Sequence, residues 1–151
     1  MNNLIKNSIW RPGQSNDPEF FLNTAPITYD QFEINGYRTC SISMQNTSRR
    51  AANSYIPYIS LCGCKGIYFG YVIRAIEAFD VYLTVSFFNV EQQLLETKSF
   101  NIASQINENF KRIIKYFRVP NEANSLKCAI IFNGKVTACT FLAPVAYAQC
   151  Q

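Results

Sequence analysis

KGIYFGYVIRAIEAFDVYLTVSFFN, residues 65–89, alternates between apolar and mixed positions almost from end to end. Ile67, Phe69, Tyr71 and Ile73 share one parity, and Tyr68, Gly70, Val72 and Arg74 share the other. After a short break, Val81, Leu83, Val85 and Phe87 alternate with Tyr82, Thr84, Ser86 and Phe88. Successive side chains of a strand point to opposite faces, so a period of two marks half-buried strands. A helix would repeat its apolar positions three and four apart instead. Phe, Tyr, Val and Ile are also the residues that pack best on a pleated surface.

The same period continues outward in both directions. In GYRTCSISMQ (36–45), Cys40, Ile42 and Met44 oppose Thr39, Ser41 and Ser43. In FKRIIKYFRV (110–119), Ile113, Phe117 and Val119 oppose Phe110, Arg112, Tyr116 and Arg118, while Ile114 and Lys115 break the pattern. LKCAIIFN (126–133) and KVTACTFL (135–142) flank Asn133-Gly134, a dipeptide that predicts a tight hairpin. Further strands are expected at 4–10, 27–33, 55–61 and 94–100. The only helix expected is a turn or two around 102–109. Pro57 marks an edge strand or a bulge, and RPGQSNDPEFF (11–21) is a candidate rim loop. Nine or ten short strands separated by turns predict an all-β sandwich or jelly roll of two antiparallel sheets. With 151 residues the chain fits one such domain, 1–151.

The totals exclude several classes. A hydrophobic share of 48% argues for a packed core and against disorder. The net charge of +4 is a mild excess; it favours an anionic partner without marking a nucleic-acid binder. The first apolar run is broken by Lys6, Asn7 and Ser8, so no signal peptide is expected, and no stretch approaches the roughly 18 apolar residues of a membrane span. The expectation is a protein that stays in the cytosol or reaches a surface by a route needing no signal.

Catalysis has little to work with. The chain has no His, which removes Ser-His and Cys-His nucleophile pairs. The acidic residues are scattered through loops, turns and strand ends, and no Gly-rich phosphate loop precedes a helix. No enzyme activity and no cofactor are expected. The six cysteines (40, 62, 64, 128, 139, 150) include one Cys-x-Cys and no Cys-x-x-Cys, a poor zinc pattern. Buried thiols and disulfides are the better readings. Cys62 and Cys64, around Gly63 in a turn, and Cys150, near the chain end, are candidates for disulfides or for bonds between subunits.

Candidate contact residues are aromatic or basic. Trp10, Tyr37, Tyr55, Tyr58, Tyr68, Tyr82 and Tyr116 are rings on which a sugar could stack, if they are exposed. Trp10, beside Arg11 at a loop start, is either such a contact or a plug for one end of a sandwich. Lys111, Arg112, Lys115 and Arg118 form a basic strand in which Arg112 and Arg118 share the parity of Tyr116. A cation beside a ring suits an anionic glycan or a partner's carboxylates; a plain solvated face is the alternative.

Taken in order, these segments resemble the galactose-binding-like jelly rolls, found in carbohydrate-binding modules and in domains of bacterial and spore surfaces. NLIKNSIW (3–10) resembles the family's first strand, with Ser8 where Gly is usual. GYRTCSISM, GCKGIYFGYVIRA and VYLTVSFFNVEQQLLE resemble the strands that follow. FKRIIKYFRVP has Phe110 where the family usually has Trp, and TFLAPVAYAQ resembles the closing strand. The family's closing strand often carries acidic residues that hold a structural calcium. Here the matching positions are Ala143, Pro144 and Val145, so no metal site is carried over.

Two functions follow. The first is a structural or adhesive surface protein, spore-coat or surface-filament-like, that assembles with itself or with other coat proteins. Its joints would be Cys62, Cys64 and Cys150. The second is a carbohydrate-binding module reading a glycan through exposed aromatics, with Trp10, Tyr58, Arg112, Tyr116 and Arg118 as contacts. The absence of an evident export signal and the terminal thiol favour the first.

Overall fold

The computed structural model describes residues 2–150. It is built from ten strands: β1 (Phe21–Asn23), β2 (Thr28–Ile34), β3 (Tyr37–Met44), β4 (Arg50–Tyr55), β5 (Ile59–Ser60), β6 (Gly66–Arg74), β7 (Glu77–Phe88), β8 (Leu94–Asn101), β9 (Lys111–Arg118) and β10 (Ser125–Gln149). All pairings are antiparallel. The first half of β10 lies between β7 on one side and β4 and β5 on the other. Its second half lies between β6 and β3. Two sheets result, ordered β1-β4-β10-β7-β8 and β2-β3-β10-β6-β9, and one strand runs through both.

The alternating runs do what their period demands. Ile67, Phe69, Tyr71 and Ile73 of β6 face Val81, Leu83, Val85 and Phe87 of β7 across a continuous core, and all eight are essentially inaccessible. Each such side chain removed from water contributes about 1.5–3 kcal/mol before the entropy of ordering is subtracted. A buried polar chain crosses this core. Tyr71 Oη donates to Asn53 Oδ1 at 2.8 Å, Asn53 Nδ2 donates to Asn23 Oδ1 at 2.7 Å, and Asn23 Nδ2 reaches Cys40 Sγ at 3.4 Å. Burying these groups is tolerable because each finds a partner.

Asn133-Gly134 is not a hairpin. β10 runs straight through it, and Gly134 (φ 92) supplies the left-handed residue of a bulge where the pairing with β7 slips between Asn133 and Val136. Gly134 N–H donates to Arg49 O at 2.8 Å, outside the ladder. Two more left-handed residues, Ala138 (φ 51) and Ala143 (φ 53), sit at slips against β3 and β6. The slips at Ala138 and Ala143 each change which parity faces inward, while Val136, after the Gly134 bulge, keeps the parity of Phe132. Leu126, Cys128, Ile130 and Phe132 are buried before the bulges, Cys139 and Phe141 between them, and Ala146 after the last. One bent strand therefore reads in sequence as two.

Three other expectations are corrected. Residues 4–10 form turns, not a first strand. Asn7 (φ 63) caps them, donating from Nδ2 to Arg11 O and Glu19 O while its Oδ1 accepts from Arg11 N–H at 2.7 Å. Asn accepts this left-handed backbone more readily than most residues. The strand expected at 55–61 lies earlier, as β4, with Arg50 inside it. The buried polar Asn53 disguised its alternation. Pro57 falls in the break before the two-residue β5. The helix expected at 102–109 is a single 3-10 turn at Ala103–Gln105.

The cysteines divide by position. Cys64 and Cys150 are joined in a disulfide within the chain, so neither is free to bond a second subunit. Cys40, Cys128 and Cys139 are buried free thiols, and Cys62 is exposed. Burial pushes Cys40 up to about 12, and raises Cys128 and Cys139 as well. A thiol reagent added to native, unreduced protein is expected to modify Cys62 alone at once, with the other three reacting only after denaturant. Fast reaction of a second thiol would contradict this packing. The same thiols ionise near about pH 8.5 once unfolded but stay protonated in the native chain. Stability is therefore full below that pH and falls as pH rises toward about 12. Urea midpoints should hold level between about pH 6 and 8 and drop by about pH 10.

Candidate functional sites on the two outer faces

With the inner faces committed to the core, the outer faces and the loops that border them are left for chemistry. On the first sheet, cross-strand register sets Leu22, Ser54, Ala129, Thr84 and Ser99 in one row across β1, β4, β10, β7 and β8. All but Leu22 are short, so the row is the floor of a trough spanning about 19 Å at the usual strand spacing. Two adjoining hollows, of about 350 and 290 Å³, meet at Thr84. The first is walled by Leu22, Ile56 and Lys127, the second by Tyr82, Ile131, Arg50 and Asn133.

The floor is polar and fixed. Thr84 and Ser99 hydroxyls hydrogen-bond each other at 3.0 Å, as do those of Ser86 and Thr97. A hydroxyl has one donor and two acceptor sites, so each pair keeps capacity for a ligand. Beyond one end, Tyr58 stands edge-on to Phe88 at 5.2 Å, with Lys127 Nζ 4.6 Å from its ring centre.

The second sheet presents a different face. Register places Tyr116 of β9, Tyr68 of β6 and Tyr147 of β10 side by side. Tyr116 packs on Tyr68 with ring centres 4.9 Å apart, and its hydroxyl donates to Gln149 Oε1 at 2.7 Å. To reach Gln149 the ring crosses Gly66, occupying the space a Cβ there would take. Alongside lies a hollow of about 650 Å³, lined by Tyr116, Arg118, Lys65, Pro120 and Glu122 among others.

The contact residues expected from sequence are thus split. Tyr116 and Arg118 share one hollow. Tyr58 belongs to the opposite face. Arg112 is exposed on β9 opposite Val72, outside the Tyr116 hollow. Trp10 is withdrawn as a contact: it is 0% exposed and is the plug, packed on Phe21 at 5.6 Å and Phe141 at 5.7 Å. Tyr55 is also buried, its hydroxyl accepting from Lys6 N–H at 3.0 Å. Tyr82 does line the trough. The floor residues Ser54, Thr84, Ser99 and Ala129 were missed, because short residues are visible in sequence only as the gaps between apolar ones.

No protein-family model matches this sequence, and no curated protein does either. Solved structures resemble it in shape. One is the enzymatically active domain of tailspike protein 4 of bacteriophage CBA120, at 12% identity and TM-score 0.70, matched over 97% of this chain but spanning only 21% of that one. TmCBM61, solved in complex with β-1,4-galactotriose, is matched over 99% of this chain and 100% of its own, at 9% identity and TM-score 0.63. A family 16 carbohydrate-binding module is matched over 96% and 99%, at 11% identity and TM-score 0.64. At such identities the likeness is one of fold: the chain is a jelly-roll β-sandwich, and carbohydrate-binding modules are among the solved structures that share that shape.

Proposed function

We propose that the protein is a non-catalytic carbohydrate-binding module that holds an extended glycan in the trough of the first sheet. The observation that carries this reading is the floor itself: a row of short side chains across four strands, β4, β10, β7 and β8, with hydroxyls held in place and Leu22 of β1 closing one end. An extended chain of sugar rings fits such an open channel, while a compact ligand would be better served by a closed pocket. Tyr82 offers the sugar's C–H face a ring, and Arg50, Asn133 and the Ser/Thr pairs offer hydrogen bonds to hydroxyls. Structural neighbours that this chain spans nearly whole are carbohydrate-binding modules, which supports the same reading.

The self-assembling surface protein is the weaker reading. Two of its three proposed joints, Cys64 and Cys150, are bonded to each other, which leaves only Cys62 exposed. Export, coat partners and homo-oligomers draw support from no feature of the fold.

The test is binding to a panel of soluble neutral polysaccharides, by affinity electrophoresis and then calorimetry. Tyr82→Ala should weaken binding about tenfold or more, the loss of one well-placed contact. Ala129→Phe adds bulk to the floor from the solvent side and should abolish binding, with both variants melting where the wild type does. A wild type that binds none of the panel, or variants that bind as it does, would remove the trough as the site.

A further inference from the structure

We infer that the outer face of the second sheet carries a second binding site, for an acidic sugar: a uronate whose ring lies on Tyr116 and whose carboxylate is held by Arg118 and Lys65. Three independent features converge there.

The first is a ring set in position before any ligand arrives. Tyr116 is 37% exposed, yet it is fixed by its bond to Gln149, its packing on Tyr68 and its seat over Gly66. A platform already immobile loses little entropy when a sugar stacks on it.

The second is unpaired positive charge. Among the described residues the ion pairs are Lys98–Glu96 and Lys135–Glu77, so Arg118 and Lys65 have none. Glu122 lines the same hollow without pairing to either cation. The hollow therefore keeps a net positive charge, and Glu122 is placed to accept from a sugar hydroxyl. The planar guanidinium of Arg118 matches a carboxylate in two parallel hydrogen bonds.

The third is a braced rim. Lys65 N–H donates to Gln149 O at 2.7 Å, and Lys65 O accepts from Val119 N–H at 2.9 Å. The Cys64–Cys150 disulfide ties the same turn to the end of β10. Lys98 Nζ donates to Arg118 O at 2.7 Å, holding the other wall. The backbones that carry both cations are thus fixed at the rim of one hollow, whereas cations on free loops would only raise the local potential.

This site is independent of the trough, and one set of titrations separates the two. The probes are polygalacturonate, its fully methyl-esterified form (the same backbone without charge) and polyglutamate (the charge without sugar). The wild type should bind polygalacturonate at least about tenfold more tightly than either control. Arg118→Gln and Tyr116→Ala should each abolish that preference. Gly66→Ala should weaken binding in a protein that still folds, because the added methyl claims the space of the Tyr116 ring and forces it off its seat and its bond to Gln149. Arg112→Gln removes an equal charge from the same strand outside the hollow and should change little. Tyr82→Ala, in the trough, should leave polygalacturonate binding intact whether or not the trough binds neutral glycans. Equal affinity for the esterified form, equal affinity for polyglutamate, or a loss in Arg112→Gln that matches Arg118→Gln would each overturn the assignment.

Discussion

Everything in this molecule hangs on β10 being one strand. Its two halves are the central strands of two different sheets, so the sandwich is hydrogen-bonded through all its strands and not merely packed face to face. A straight strand would hold a single sheet. The bulges at Gly134, Ala138 and Ala143 bend it and reset its pairing, and each does so by placing a residue in the left-handed region. Alanine is unfavourable there because its Cβ crowds the carbonyl that follows, at a cost of about 1–2 kcal/mol. Two such residues persist because neighbouring strands on both sides fix the register around them.

That constraint explains which parts of the fold were legible in sequence. β3, β6 and β7 have uninterrupted alternation, so their inner and outer residues follow directly from parity. β8 and β9, edge strands with few buried residues, still showed enough period to be found. β10 was found only as two separate strands, because a bulge erases parity at the place where it acts. The Asn-Gly pair that favours a tight turn also supplies the left-handed glycine of a bulge, and only the partner strands decide between them. The N-terminal segment failed for a related reason. Leu4, Ile5 and Trp10 are apolar because they cover the end of the core, and burial alone does not say whether the backbone is a strand or a turn.

The candidate sites were legible to different degrees. Tyr116 and Arg118 were visible as a ring and a cation of equal parity, and the fold does set them on one face. What parity could not supply was Lys65, which reaches the same hollow from the turn before β6, or Gly66, whose missing side chain lets the Tyr116 ring lie flat. Trp10 shows the opposite error. A large ring near a loop carries no label for inside or outside, and here three neighbouring aromatic rings claim it for the core.

The trough was the least legible, and its physics shows why. Its working surface is a set of absences: Ala129, Ser54, Thr84 and Ser99 matter because they are short where the walls are tall. Short side chains on paired strands have little rotamer freedom left to lose, and the Thr84–Ser99 and Ser86–Thr97 pairs have already fixed their hydroxyls against each other. A ligand chain therefore meets a surface whose ordering cost was met when the sheet formed, and more of its contact energy survives as affinity. Such a site depends less on any single residue than on register. A one-residue slip of β10 against β7 would turn Ala129 and its neighbours inward and set core residues in their place. The strand that makes the sandwich is thus also the strand that makes the floor.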